Sequence, residues 1–332
     1  MKLLQVGIKP ESAFGTPLKG DTIFGHFIWQ LVMDNNLLKV PLEDALLQYK
    51  KSPFIVFSSA YTRLYKDGEY VFFLKRPDLP LLFLKRTDND IVKYLKNRKE
   101  LKSKKFIQVG NDLKISFVEE DLFSETDIFN LYKNEYSTSY TSLYLSALEI
   151  TQLHTHNKIN RLTSSTGRGF APYTLEDVWY LPYLEMCIFV LFDPEIIDRE
   201  AILEGLARIG QMGFGRDASS GLGRFSLVEE DDLNIPDYSN CNGLYTLSPC
   251  VPDKSYDKVY FQPFVRFGRH GNFLATSRNP FKNPVLMMDE GCVIIHREKQ
   301  ITPYIGLSID NLSKEEKGTV SQGYSIVFPI FF

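Results

Sequence analysis

Hydrophobic and polar residues alternate along the first part of the chain with two different periods, and their order predicts a mixed α+β fold. A short apolar run over residues 3–8 predicts a first strand. Apolar residues recur at helical spacing over 23–32, and Asp21 is a suitable N-cap for that helix. Two further apolar runs, 54–57 and 70–74, predict strands after the helix. The N-terminal order is therefore strand, loop, helix, strand.

The second half of the chain shows the same two periods. Apolar patterning predicts strands at 147–154, 185–192 and 222–228, and a helix at 194–212. Residues 157–173 are polar and basic without periodicity, which indicates a loop or a projecting hairpin. The order strand, helix, glycine-rich loop, strand echoes the N-terminal order. Two α+β sandwiches of ferredoxin-like (RRM-like) type, with insertions, fit this pattern best.

Chain length also favours two domains, because 332 residues are many for a single hydrophobic core. We predict an N-terminal ferredoxin-like domain at 1–177 and a C-terminal one at 178–332. The C-terminal domain would contain a glycine-rich loop at 213–225. The N-terminal domain would carry a lysine-rich insertion at 85–105, whose lysines form either a plain solvated face or a contact for phosphates.

The overall charge restricts how this chain can contact a nucleic acid. The formal net charge is −3 and the pI is near 6.0, whereas nonspecific nucleic-acid binders carry a clear basic excess. Any RNA contact must therefore be local. Aromatic residues reach 14%, which suits either a core filled with phenylalanine or exposed rings that stack on bases.

The cysteines and the N-terminus predict a soluble cytoplasmic protein. Cys187, Cys241, Cys250 and Cys292 form no CxxC pair, so we expect reduced thiols and no zinc site. We also expect no secretory leader and no membrane span, because polar residues interrupt the first apolar run and no later run is long enough.

The most informative segment is the glycine loop, residues 213–225. Its four glycines allow close approach to a ligand, and its arginines and serines can donate hydrogen bonds to phosphate or ribose oxygens. The spacing of glycines also matches a dinucleotide fingerprint, but here a helix precedes and a strand follows, the reverse of that site. A purely structural turn is the alternative. The candidates for RNA contact are Gly213, Gly215, Arg216, Ser219, Ser220, Gly221, Gly223 and Arg224.

A second candidate is the segment 14–26, in which the N-terminal loop (residues 9–20) leads into the predicted helix. A loop with glycine and lysine leads into a helix N-terminus, where free N–H groups and the helix dipole favour an anion. A capped helix with a solvated lysine explains the same residues nearly as well, and the histidine is then a core or groove residue. The candidate residues are Lys19, Gly20, Asp21, Thr22 and His26.

The third candidate is the basic, amide-rich segment 154–163, which 167–169 extends. His154 and His156 share a face of the predicted strand, but no carboxylate or third histidine stands near them in sequence. We therefore expect no metal and no other cofactor, and prefer contact with RNA. The candidates are His156, Asn157, Ile159, Arg161, Thr163 and Arg168.

Together these motifs resemble the RAMP superfamily of CRISPR-associated proteins, and within it subunit 4 of the type III-A (Csm) effector complex. The glycine loop is similar to the family's loop between helix and strand, and 19–25 is similar to its Lys-Gly-Asp-Thr-hydrophobic-Phe-Gly stretch. The family's His-Asn-x-Ile-x-Arg-x-Thr run is matched at 156–163. Its C-terminal Gln-Gly-Tyr is matched at 322–324, with Pro329 in the last strand. The resemblance spans the chain from end to end.

The resemblance implies a non-catalytic subunit with two ferredoxin-like domains. Such a subunit holds the repeat-derived 5′ handle of the guide (CRISPR) RNA and joins the large Cas10-type subunit to the backbone RAMP subunits. In this sequence the glycine loop would hold handle phosphates and bases. Residues 156–168 would belong to a thumb-like projection at about 155–173, and residues 19–22 would line the same groove.

Two alternatives stay open from the residues alone. A metal-independent RAMP-type endoribonuclease that processes guide-RNA precursors would need a general base and a general acid, and no spacing joins two histidines into such a pair. The histidines in question are His26, His154, His156 and His270. The other alternative is a scaffold that contacts only proteins. The acidic runs 119–127 and 229–232 would repel RNA, so one of them is a candidate for a face docked to a protein partner.

Overall fold

The computed structural model describes residues 1–85, 99–136, 147–167, 169, 171–252, 256–295 and 302–332. The strands are β1 (Lys2–Pro10), β2 (Ile55–Lys66), β3 (Glu69–Lys75), β4 (Phe106–Val109), β5 (Ile115–Ser116), β6 (Leu122–Phe123), β7 (Glu149–His156), β8 (Tyr173–Tyr180), β9 (Glu185–Phe192), β10 (Phe225–Leu233), β11 (Gly243–Thr246), β12 (Lys258–Tyr260), β13 (Pro263–Arg266), β14 (Val285–Met288), β15 (Val293–Ile295), β16 (Tyr304–Gly306) and β17 (Tyr324–Phe331). The fully described α-helices are α1 (Gly20–Met33), α2 (Leu42–Tyr49), α3 (Glu125–Glu135) and α4 (Arg199–Met212). The predicted α+β class is confirmed.

The larger sheet has seven strands in the order β10-β1-β9-β2-β3-β4-β6, and neighbouring strands are antiparallel. The path β1-α1-β2, continued by β9-α4-β10, places β9 between β1 and β2 and places β10 beside β1. This is the split βαβ arrangement of ferredoxin-like folds. Residues 67–184 are an insertion in that path: β3, β4 and β6 extend the sheet, and β7 and β8 form a separate two-stranded hairpin.

The smaller sheet repeats the same neighbour relations. Its order is β12-β15-β11-β17-β16, so that β15 lies between β11 and β12, and β17 lies beside β11. The short strand β5 adds to β17 in parallel. Strands β13 and β14 form a further two-stranded ribbon between β12 and β15 in the chain.

Strand pairing groups the chain differently from the expected division at 177/178. β9 and β10, which follow residue 178, complete the sheet that begins with β1 and β2. The glycine loop joins α4 to β10 and accordingly lies in the first unit. The two similar orders of elements in the sequence indicated two separate domains. In the structure β1-α1-β2 and β9-α4-β10 are the two halves of one ferredoxin-like sheet. We propose residues 1–233 and 243–332 as the two units.

The two units share one apolar core. The rings of Phe189 on β9 and Phe328 on β17 meet edge to face with centroids 5.2 Å apart. The fully buried side chain of Gln322 accepts from the N–H of Phe57 at 2.9 Å and donates to its carbonyl at 2.7 Å. The hydroxyl of Tyr324 donates to the carbonyl of Tyr49 at 3.1 Å. The C-terminal Gln-Gly-Tyr motif therefore joins the two units in the interior.

Side chains of both acidic runs take part in the folded structure. Asp127 and Ser124 form a reciprocal capping box at the start of α3. Arg199 lies 3.6 Å from Glu230 and 3.5 Å from Asp232 across the edge of the larger sheet. The hypothesis that one run faces a protein partner stays a prediction.

The predicted elements are confirmed with shifted ends. The strand at 185–192 is observed over exactly that span, whereas the second predicted helix begins at Arg199. The prediction that Asp21 caps the first helix is wrong, because α1 begins at Gly20 and its N-cap position is Lys19. Of the lysine-rich segment, residues 86–98 lie outside the described part of the chain. No helix among the described residues is long and apolar enough to cross a membrane.

Candidate nucleic-acid interface

The N-terminal loop runs antiparallel to the glycine loop and is hydrogen-bonded to it. The N–H of Glu11 donates to the carbonyl of Arg224 at 2.9 Å, and the N–H of Gly223 donates to the carbonyl of Ala13 at 2.7 Å. The hydroxyl of Ser12 accepts from the N–H of Arg224 at 2.8 Å. The N-terminal loop and the glycine loop therefore form one surface.

The hairpin formed by β7, β8 and residues 157–172, which we call the projecting hairpin, joins the same surface at its base. Phe14 and Val178 exchange two backbone hydrogen bonds of 2.8 and 3.0 Å. The guanidinium of Arg216 in the glycine loop donates to the Asp177 carboxylate at 2.7 Å and to the Glu176 carbonyl at 2.6 Å. The base of the projecting hairpin, at residues 176–178, therefore adjoins both the N-terminal loop and the glycine loop.

The glycine loop is a compact turn built on positive φ angles. Gly213, Gly215, Gly221 and Gly223 all have φ between 73° and 96°. At Gly223 a Cβ atom would lie 2.1 Å from the carbonyl oxygen of Phe214, whose N–H donates to the carbonyl of Gly223. Only glycine combines this backbone conformation with so close an approach. The four glycines therefore have a structural reason beside any ligand.

His26 on α1 packs against the glycine loop and is hydrogen-bonded to it. Its Nε2 atom accepts from the N–H of Gly215 at 3.1 Å, and its ring lies 4.7 Å from the ring of Phe214. Burial lowers the pKa of His26 to about 4, so the imidazole is neutral near pH 7 and can accept this hydrogen bond. His26, a candidate RNA contact in the sequence, is placed here as a positioning residue for the loop.

The pKa of His26 predicts an acid-sensitive loop. Since the folded-state pKa of about 4 lies below the ordinary value of 6.5, the contribution of His26 to stability is complete above pH 6.5 and is lost as the pH falls toward 4. The free energy of unfolding should decrease over that window by up to about 3 kcal/mol from this residue. Urea unfolding at several pH values should show a smaller acid loss in His26→Gln than in the wild type. Parallel pH curves for the two proteins would contradict the assignment.

Arg216 and Arg224 flank the loop but differ in what they contact. Arg216 donates to the carbonyl of Gly15 and to two carboxylates, those of Asp177 and Asp217. Arg224 is exposed, and it borders a cleft of about 340 Å³ with Glu11 on its rim. Arg216 is thus engaged inside the protein, whereas Arg224 is available to a ligand. Ser219 and Ser220 are exposed in the same loop.

The candidates at the start of α1 contact the second unit instead of the loop surface. The ammonium group of Lys19 lies 2.5 Å from the Asp289 carboxylate and 2.6 Å from that of Glu290. The carboxylate of Asp21 accepts two hydrogen bonds from the guanidinium of Arg266. A Cβ at Gly20 would lie 2.3 Å from the Phe57 carbonyl oxygen, while Thr22 is half-buried. These charges are therefore satisfied within the protein.

The projecting hairpin exposes most of its candidate residues. The rings of His156 and Tyr173 stack across its two strands with centroids 5.3 Å apart, and the Lys158 ammonium lies 5.8 Å from the tyrosine ring. Arg168 lies outside the described residues. The exposed candidates are Asn157, Ile159, Arg161 and Thr163.

No protein-family model matches the sequence, and no curated protein matches it either. Among solved structures, the chain is similar to one in the crystal structure of the Csm1–Csm4 cassette in complex with pppApA, with a TM-score of 0.54 and 13% identity over 99% of this chain and 98% of that chain. It is similar to one in the Csm3–Csm4 subcomplex of the type III-A CRISPR-Cas interference complex, with a TM-score of 0.54 and 17% identity over 99% of each chain. This chain has the Csm4 fold.

The Csm4 fold is the one that the sequence motifs resemble, so the predicted fold is confirmed over the whole chain. At these identities the likeness concerns the fold alone. What the chain binds must be argued from its own surface.

The sequence alone did not reveal the residues that bind the glycine loop to the rest of the protein. Asp177 and the Glu176 carbonyl bind Arg216, and Thr16 accepts from the N–H of Arg216 at 2.9 Å. None of these partners stands near the glycine loop in sequence. A short polar side chain in a loop and an acidic residue in a strand carry no signal of such pairing.

The four histidines weighed as nuclease residues lie in three separate parts of the fold. His26 is on α1, His154 and His156 are on β7, and His270 is buried with its Nε2 atom 2.7 Å from the Ser313 hydroxyl. Within the described residues, no hydrogen bond joins two of these histidines.

Proposed function

We propose that this chain is a non-catalytic RNA-binding subunit of a type III-A CRISPR (Csm) effector complex, and that it holds the 5′ handle of the guide RNA. One observation carries the proposal. The N-terminal loop, the glycine loop and the projecting hairpin, which lie far apart in sequence, meet on one side of the first unit through direct hydrogen bonds.

The exposed groups around this junction suit the backbone and bases of single-stranded RNA. Arg224 can neutralise a phosphate, and the two exposed serines of the glycine loop can donate to phosphate or ribose oxygens. Lys158 and Arg161 add positive charge on the projecting hairpin. The stacked pair of His156 and Tyr173 offers a ring surface to an unpaired base.

Residues that are hydrogen-bonded within the protein support the proposal by fixing the conformation of the glycine loop. Arg216 and His26 hold the glycine loop in one conformation, so less conformational entropy is lost when RNA binds. Because the net charge of the chain is −3, the affinity must come from this local surface and not from a general electrostatic attraction.

The partners follow from the same proposal. Solved chains of this fold are found in complexes with Csm1 and with Csm3. We assign to this chain the corresponding partners, the large Cas10-type subunit and the backbone RAMP subunits. The tip of the projecting hairpin, where Leu162 is 95% exposed, is available to a neighbouring subunit as well as to RNA.

The proposal is tested by the binding of the purified chain to an RNA that carries the repeat-derived 5′ handle of the same CRISPR system. A scrambled RNA of equal length is the control, and both are measured at two salt concentrations. We expect tighter binding of the true handle without cleavage. Equal binding of the two RNAs would contradict handle recognition, and cleavage would favour the endoribonuclease alternative.

Arg224 should contribute one phosphate contact. We expect Arg224→Ala to weaken handle binding severalfold and to lower the slope of log affinity against log salt concentration by roughly 1. The matched control is Arg208→Ala. Arg208 lies on α4 and is paired with Glu204 of the same helix and with Asp34. If both variants change the slope equally, Arg224 does not contact a phosphate.

A further inference from the structure

The ribbon of β13 and β14 continues beyond the two strands, so that residues 263–270 run antiparallel to residues 280–288. Val265 pairs with Leu286 in the strands, and Arg269 bridges to Phe281 further along. Since side chains alternate between the faces of a strand, residues 265, 267 and 269 share one face with their partners. We call Val265, Phe267, Arg269, Phe281 and Leu286 the outer face of the ribbon.

The opposite face of the ribbon packs on the first unit. Arg266 forms its two hydrogen bonds with Asp21 on α1. The ring of Phe273, in the loop that closes the ribbon, meets Trp29 of α1 edge to face at 5.2 Å. Burial lowers the pKa of the Lys282 ammonium, which lies on this inner side near Asp21. The inner face of the ribbon is therefore attached to α1 of the first unit.

The outer face exposes large apolar side chains. Phe267 is 76% exposed, Phe281 and Leu286 are each 67% exposed, and Val265 is 45% exposed. The Arg269 guanidinium lies 5.7 Å from the centre of the Phe281 ring. An exposed apolar group of this kind on a rigid element is typical of surfaces that become buried in an assembly.

Basic residues outnumber acidic ones along the ribbon. Residues 258–288 contain five basic residues and no aspartate or glutamate. Arg269 and Arg278 are exposed and make no ion pair within the described part of the chain. Glu315, from a later loop, reaches only the far end of the ribbon, where it accepts from Asn279. The apolar centre thus has a basic border.

We propose that the outer face of the ribbon docks a protein partner whose surface has an apolar centre bordered by carboxylates. This inference rests on the proposed function, in that the partner is a subunit of the same effector complex. Protein interfaces bury apolar side chains together with arginine at their centre. The aliphatic side chains of Val265 and Leu286 offer no stacking surface to a base, so the composition favours a protein over RNA.

The decisive variant is Leu286→Asp, which places a carboxylate in the apolar centre. Its matched control is Leu47→Asp on α2, where the leucine is 63% exposed in the wild type. Titration calorimetry measures the full-length chain against the purified large subunit, the backbone subunit and the handle RNA. We expect Leu286→Asp to weaken binding of one of the two proteins at least about tenfold, with RNA binding and the Leu47→Asp control unchanged.

Phe267→Ala is a second variant that adds no charge, and it should weaken binding of the same protein. Circular dichroism spectra and melting temperatures show whether each variant is folded. Unchanged affinity for both proteins in folded variants, or an equal loss in the Leu47→Asp control, would overturn the inference. Loss of RNA binding alone would overturn it in favour of an RNA surface.

The wild-type titrations separate this inference from the proposed function. A chain that binds the handle RNA but neither protein would overturn the docking surface and leave the RNA-binding proposal standing. A chain that binds a protein through the outer face but ignores the handle RNA would support the docking surface and contradict handle binding.

Discussion

The free energy of unfolding should fall by about 3 kcal/mol in Gly223→Ala but by only about 1 kcal/mol in Gly221→Ala. Both glycines have positive φ, +73° at Gly223 and +96° at Gly221, so both substitutions introduce backbone strain. They differ in the space around the new methyl group. A Cβ atom at Gly221 would have no atom of the described residues within 4 Å beyond its chain neighbours, whereas a Cβ atom at Gly223 would lie 2.1 Å from the carbonyl oxygen and 2.5 Å from the nitrogen of Phe214.

The Phe214 backbone cannot easily move away, because its side chain is fully buried and its N–H is bonded to the Gly223 carbonyl. Urea denaturation of the two variants beside the wild type measures the difference. Since Gly221 controls for the strain of positive φ alone, equal losses in the two variants would contradict the close packing of Gly223 on Phe214.

Arg216→Ala should destabilise the protein by about 2–3 kcal/mol, whereas Arg224→Ala should leave its stability within about 0.5 kcal/mol of the wild type. Without the Arg216 guanidinium, the buried Asp177 carboxylate keeps only His154 as a charged partner among the described residues, with the Nε2 atom 3.7 Å away. Removing one partner of a buried ion pair costs more than the pair contributes, because the other charge stays desolvated. Because Arg216 is partly exposed, the expected loss of stability is smaller than for a fully buried ion pair.

The loss should be localised at the projecting hairpin. A two-stranded hairpin is marginal by itself, and this one is attached to the first unit through Phe14 and Arg216. Hydrogen exchange should show faster exchange in β7 and β8 of Arg216→Ala and no change there in Arg224→Ala. If the two arginine variants behave alike in both measurements, the different roles assigned to them are wrong.

Local pattern was sufficient for most elements of the core. The buried strand β9 is a continuous apolar run, and the turn between β2 and β3 is a Lys-Asp-Gly sequence whose Asp67 and Gly68 both adopt positive φ. The start of α1 was less well predicted. Asp21 has the right side chain for an N-cap, but it binds Arg266, a residue from the other unit.

The division of the chain could not be obtained from pattern alone. A strand's own sequence shows that it is buried but does not specify its neighbour, and β1 pairs with β9 and β10 across an insertion of more than a hundred residues. The contacts of the candidate-site residues could not be read from the local sequence either. Arg216 and Arg224 both flank glycines, and nothing in the sequence near them distinguishes the internally bonded arginine from the exposed one.

By itself the sequence determined the α+β class, the principal strands and helices, the resemblance to the RAMP superfamily and the glycine loop as a candidate for the interface. These depend on residues close together in the chain, such as periodic apolar positions and glycine spacing. Only the tertiary structure decided that β9 and β10 complete the first unit, and that Lys19 and Arg216 are bonded within the protein while Arg224 faces solvent. The physical reason is that strand pairing and the neutralisation of a charge depend on partners brought from distant parts of the chain.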